Sequence, residues 1–147
     1  MGPKIIRKQR LYIAGIMGDG FKTAELWGEF DSKLQETELS KKTSDAGYEV
    51  RFDYDDKCDC FVGLAVTESS GAEGFELLEL PSCEYAAFDV IVADGYDSEN
   101  ENMNKWLDEN KDKYTHAQID GMHYIIECYN KKFKEGIVEI WIPLDAK

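Results

Sequence analysis

The sequence predicts an α+β domain built from two strand–helix–strand–strand halves. The expected sheets are antiparallel, with helices on one face and a groove at the pseudo-twofold between the halves. Three observations carry this expectation. Two helical hydrophobic stripes, opening near Lys22 and Ser98, are each followed by a pair of strand-like segments. The members of each pair are joined by a short polar connection, as in a hairpin. A chain of 147 residues has the size of one domain with one core. We therefore expect a single domain over 1–147, with 1–9 as a loose lead-in and halves over about 10–70 and 74–144.

Leu11-Tyr12-Ile13-Ala14-Gly15-Ile16 opens the first half as a buried strand, closed by Gly18-Asp19-Gly20. Thr23, Trp27, Phe30 and Leu34 then recur at spacings of four, three and four, with Leu26 beside them, which is the stripe of an amphipathic helix. The polar stretch 36–47 reads as a loop. Residues 48–54 alternate apolar and charged side chains, as a half-buried strand does. Residues 58–66 return across a tight Asp55-Asp56-Lys57 connection.

The second half repeats this order. Residues 75–80 and 84–92 read as one strand broken at Pro81-Ser82, because proline cannot donate to a ladder and imposes a bulge or kink. Ser98-Glu99-Asn100-Glu101 matches a capping box, and Met103, Trp106, Leu107 and Asn110 follow at helical spacing. Acids lead this helix and Lys111 and Lys113 close it, in keeping with the helix dipole. Residues 123–129 and 137–144 form the last hairpin, with Pro143 ending the final strand.

Seventeen basic residues against thirty acidic ones give a net charge of −13. Such a surface repels phosphate backbones and anionic lipid, and it argues against autonomous nucleic-acid binding. No apolar run approaches the roughly 20 residues of a membrane span. The start lacks the apolar region and cleavage site of a secretory leader, and Ile6 does not suit a myristoylation motif. A cytoplasmic location is expected, with Cys58, Cys60, Cys83 and Cys128 as free thiols.

Metal and cofactor chemistry find little support. Cys58 and Cys60 sit on one strand face, but His116 and His123 are remote in sequence, and zinc needs more ligands at matching spacing. The acidic run Asp53, Asp55, Asp56 and Asp59 lacks the glycine and terminal glutamate of a calcium loop, and suits a solvated hairpin tip. No phosphate-binding loop, dinucleotide fingerprint or serine elbow occurs.

Several short motifs, taken in order, resemble the GyrI-like effector-binding domains. Leu11-Tyr12-Ile13-Ala14-Gly15 leads into a helix carrying Leu26-Trp27 and Phe30. Phe61-Val62-Gly63-Leu64 follows, then Leu80-Pro81 with Tyr85-Ala86 and Phe88. Ile126-Glu127-Cys128-Tyr129 and Val138-Glu139-Ile140-Trp141-Ile142-Pro143 complete the series, so the resemblance spans about residues 5–144. It implies two SHS2-type halves with a ligand cleft between them. Such domains are the effector-sensing part of AraC-type and MerR-type multidrug regulators, and also occur as stand-alone binding proteins and DNA gyrase inhibitors. Some relatives hydrolyse cyclopropane-containing genotoxins. This chain has no room for a helix-turn-helix domain before Leu11, which again argues against direct DNA binding.

Strand alternation places Tyr124, Ile126 and Cys128 on one face, suited to packing under a helix, and His123, Ile125, Glu127 and Tyr129 on the other. On the residues alone, Glu127 is either a solvated surface glutamate or a groove carboxylate. The resemblance implies the second, a ligand-facing carboxylate whose desolvation a bound cation offsets. Trp27, Tyr48, Phe61, Tyr85, Trp106 and Trp141 are candidate cleft walls, since aromatic faces attract organic cations. Core packing is the competing role for each, for Trp106 above all, because it lies in the stripe of the second helix. Trp141 alternates against Val138, Ile140 and Ile142, which puts it on Glu127's side in this reading.

The expected function is capture of an amphipathic, cationic small molecule by a stand-alone sensing or sequestering domain. Two alternatives remain. One is hydrolysis of an electrophilic xenobiotic by Glu127 with a tyrosine such as Tyr85. The other is an acidic interaction protein that docks a regulator or gyrase.

Overall fold

A computed structural model describes residues 2–54, 57–119 and 121–146. The elements run β1 (Lys4–Lys8), β2 (Leu11–Asp19), α1 (Thr23–Glu36), β3 (Lys42–Tyr54), β4 (Lys57–Val66), β5 (Glu76–Leu80), β6 (Cys83–Ile91), α2 (Asp97–Glu109), β7 (Tyr114–His116), β8 (Gln118–Ile119), β9 (Met122–Tyr129) and β10 (Ile137–Ala146). All the strand pairs are antiparallel, in the order β1-β6-β10-β9-β3-β4-β2-β5. In chain order β2, α1, β3 and β4 are followed by β5, β6, α2, β7, β8, β9 and β10, and β3 pairs with β9 at a seam in the middle of the sheet.

This order forces the sheet to curl. β5 is at one end and β6 is next to the other, yet only Pro81 and Ser82 separate them in the chain. From Leu80 to Cys83 is three Cα steps, at most about 11 Å, so the ends of the sheet must approach each other. Gln9 and Arg10 make a second short link, from β1 to β2.

The registers then assign every side chain to one of two faces. Glu49 pairs with Val62 and with Glu127, and Glu127 pairs with Ile140, so these four share a face. Val50, Phe61, Ile126 and Trp141 share the other by the same logic. That second face is the inside of the curl. Residues from all the long strands merge there into one core of Ile13, Val50, Phe52, Phe61, Leu80, Tyr85, Tyr124, Ile126, Cys128, Trp141 and neighbours. The outer face carries two separate cores. Leu26 and Phe30 of α1 cover Ala14, Cys60, Val62 and Leu64, while Met103 of α2 lies with Phe88, Val90, Val138, Ile140 and Ile142. Fully burying such a side chain contributes roughly 1.5–3 kcal/mol.

Several local expectations need correction. Within the supposed lead-in, Lys4–Lys8 is a strand that pairs in register with β6. The loop expected over 36–47 already contains the start of β3, which enters irregularly, with a register shift between Lys42 and Gly47. Pro81-Ser82 does not kink one strand; it joins two strands on opposite sides of the sheet. The capping box does not form. α2 begins at Asp97, Tyr96 is its N-cap without a side-chain bond, and Ser98 is already inside the helix. Pro143 does not end β10, which continues to Ala146. A strand residue's N–H and C=O point to the same side, and the Pro143 carbonyl accepts from Ala117 N at 2.8 Å, so its missing donor faces away from β6. The four cysteines are buried and form no disulfide. Cys128 lies in the inner core and not beneath a helix. The Asp55-Asp56 connection lies outside the described residues.

Candidate functional site

The two helices cover their own cores and leave the seam between them open. There a cleft of about 650 Å³ opens, within the ~300–1,000 Å³ usual for small-molecule sites. Its floor is the outer face of the seam: Glu49 and Arg51 from β3, Ile125, Glu127 and Tyr129 from β9, Ile140 and Ile142 from β10. α2 supplies one wall with Tyr96, Asn100, Met103 and Leu107, at helical spacings of four, three and four. Thr23 of α1 and His116 of β7 reach the rim.

The floor is a charged cluster on strands, where alternation aims the side chains. Glu49 is 3% exposed and Glu127 9%, and they stand directly across the seam from each other. One oxygen of each carboxylate accepts from a ring donor: Trp27 Nε1 donates to Glu49 Oε1 at 2.9 Å, and Tyr129 Oη to Glu127 Oε1 at 2.9 Å. The other oxygens turn to Arg51. Its Nη1 donates to Glu49 Oε2 at 3.0 Å, and its Nε lies 3.8 Å from Glu127 Oε2. Arg51 Nη2 also donates to the Gly20 carbonyl at 3.1 Å, which holds the guanidinium over the seam.

Burial pushes the Glu127 carboxyl up to about 7, and the adjacent Glu49 carboxylate pushes it the same way; Tyr129 and Arg51 oppose the rise. Burial and Glu127 also raise the Tyr129 phenol well above its ordinary value, which keeps it a donor. The Trp27 indole packs edge-on against the Tyr129 ring at 5.9 Å. Its tip lies over Gly47, where a Cβ would stand 2.9 Å from Trp27 Cη2. A glycine at 47 is thus what lets the indole lie across β3 and reach Glu49.

Of the residues singled out in the sequence, Glu127 faces the cleft, and Trp27 joins it through the Glu49–Tyr129 contacts. Tyr48, Phe61, Tyr85 and Trp141 are together elsewhere, on the inner face. Trp141 packs on Tyr48 at 5.8 Å and Tyr85 at 5.6 Å, with the sheet between them and Glu127. Trp141 is therefore not on Glu127's side: it pairs with Ile126, and Ile140 is the neighbour that shares Glu127's face. The same placement separates Tyr85 from Glu127 as a catalytic partner. Trp106 packs on Phe88 and Tyr114 in the α2 core and does not line the cleft.

Glu49, Arg51 and Tyr129 are the residues that sequence reasoning left out of the site. Residues 48–54 carried a signal, since their alternation put Glu49 and Arg51 on one face. That face looked solvated because the sequence does not disclose that β3 pairs with β9 and brings a second carboxylate opposite. Among the described residues, no group of three or more His, Cys, Asp or Glu is arranged to hold a metal ion. No described helix is long and apolar enough to cross a membrane.

A curled antiparallel sheet with two helices on its outer face, split by a cleft of small-molecule size, defines a small-molecule-binding domain. The chain belongs to the GyrI-like small molecule binding domain family, whose sequence pattern matches residues 1–145. In fold it is similar to SAV2435 bound to tetraphenylphosphonium, with a TM-score of 0.71 and 16% identity over 99% of this chain and 94% of that one. It is also similar to the C-terminal domain of EcmrR, with a TM-score of 0.69 and 11% identity over 97% and 96% of the two chains. An integron cassette protein from the Vibrio cholerae mobile metagenome shares the fold at a TM-score of 0.55 and 14% identity, over 99% and 97%. No curated protein sequence matches significantly.

Proposed function

We propose that this domain captures amphipathic organic cations in the cleft between α1 and α2, as a cytoplasmic sensing or sequestering module. The observation that supports this is the charge count at the seam. Glu49 and Glu127 are both buried, and among the described residues Arg51 is the one cation ion-paired with either. With both acids ionised the floor carries one uncompensated negative charge out of bulk water, and a ligand cation offsets that cost. Tyr129, which lines the cleft, adds ring surface beside the carboxylates, and a cation–ring contact contributes roughly 0.5–2 kcal/mol. Ile125, Ile140, Ile142 and Met103 suit the apolar body of such a ligand. The tetraphenylphosphonium held by SAV2435 is a compound of this class, on the same fold.

The test compares tetraphenylphosphonium with neutral triphenylphosphine oxide by tryptophan fluorescence and calorimetry. Saturable binding of the cation, about tenfold or more tighter than the neutral compound, is expected. Equal affinity for the two, or no binding of either, overturns the proposal.

A further inference from the structure

We infer that Arg51 is the specificity-determining residue of the cleft, a tethered cation that limits it to ligands bearing one positive charge. This rests on the cation-capture reading above and adds the charge class of the ligand.

The argument is one of counting and geometry. Each buried carboxylate spends one oxygen on a neutral ring donor, Trp27 for Glu49 and Tyr129 for Glu127. Neither donor changes the net charge. The remaining oxygens face the same guanidinium, at 3.0 Å and 3.8 Å. Arg51 is a permanent cation, so it removes one of the two negative charges at any ordinary pH. It is also fixed in place. Its third contact, to the Gly20 carbonyl, ties the fork to the end of β2. The 3.8 Å separation from Glu127 is longer than a hydrogen bond, so Glu127 is the acid less fully matched by Arg51. A single ligand charge placed against Glu127 neutralises the floor. A second one has no counter-charge there and faces the guanidinium, where like charges in a partly dehydrated site repel strongly.

Two probes of nearly the same shape isolate the charge count: N-methyl-4-phenylpyridinium, with one charge, and N,N′-dimethyl-4,4′-bipyridinium, with two. Unmodified protein is expected to bind the monocation about tenfold or more tighter. Arg51→Met keeps an unbranched side chain and removes the charge, and is expected to reverse the ratio in favour of the dication. Arg51→Lys keeps the charge and is expected to preserve the monocation preference. Circular dichroism establishes that each variant is folded. A ratio unchanged between unmodified protein and a folded Arg51→Met overturns the inference. So does unmodified protein that binds the dication as tightly as the monocation, a result that needs no variant at all. If the unmodified protein binds neither probe and does not bind tetraphenylphosphonium, the cation-capture reading itself falls.

Discussion

Glu49 and Glu127 are in register across the β3–β9 seam, two acids where a sheet ordinarily avoids facing like charges. The pair persists because Trp27, Tyr129 and Arg51 each take up part of its hydrogen-bonding capacity and charge. The arrangement stores an unfavourable interaction at the floor of the cleft, and that interaction makes several properties of the domain measurable.

Glu127→Gln keeps the shape of the side chain and removes the charge. Binding of tetraphenylphosphonium is expected to weaken by roughly ten- to a thousandfold, as for truncation of a desolvated charge pair. Binding of triphenylphosphine oxide is expected to change little. Parallel calorimetric titrations check this, and equal losses for both ligands would point to a damaged fold.

Cation affinity is expected to rise with pH as Glu127 loses its proton near 7, and to level off above that range. Binding at pH 6 should therefore release protons, visible as a dependence of the calorimetric heat on the buffer's ionisation enthalpy. The same shift has a signature in stability. Between about 4.5 and 7 the folded protein holds a proton that the unfolded chain has lost, so this group's contribution to stability falls as pH rises through that window. Denaturant titrations of the ligand-free protein should show Glu127→Gln less sensitive to pH there, and more stable than the parent above pH 7.

Gly47→Ala places a methyl against the Trp27 indole. The ring must shift, straining its bond to Glu49. A loss of about 1–3 kcal/mol is expected, together with a changed tryptophan emission spectrum. Unaltered emission and stability would show that the indole does not depend on the glycine.

Ile126 is fully buried in the inner core, one residue from Glu127 but on the opposite face. Ile126→Ala is expected to cost about 2–5 kcal/mol of stability. Under conditions where the variant remains folded, the ratio of cationic to neutral ligand affinity should hold, because the cleft faces the other way.

Much of the fold was legible because periodicity is a local signal. The stripe of Trp27, Phe30 and Leu34 marked α1, and the alternation over 48–54 marked β3. The site was legible only in part. Glu127 could be placed on a face by alternation, but whether that face met water, a helix or another strand depended on pairing across more than 70 residues. The same gap put Trp141 on the wrong side. Trp141 does alternate with Ile140, but Ile140 belongs to the α2 core on Glu127's own face. Tyr85 and Tyr48 had the composition of a binding surface. They fill the inside of the curl, where residues from the long strands merge into one core.

The pairing of Lys4–Lys8 with β6 also bears on how the chain finds its structure. The β3–β4 and β9–β10 hairpins need only nearby partners and can form early. β1 has no partner until residues past Cys83 are available, and the seam requires β3 to wait for β9. Loop-closure entropy is lost before those distant contacts return anything, which places such topologies in the range of roughly milliseconds to seconds. The carboxylate cluster exists only once that seam has closed: without the β3–β9 pairing, Glu49 and Glu127 belong to two separate strand edges, and the cleft has no floor.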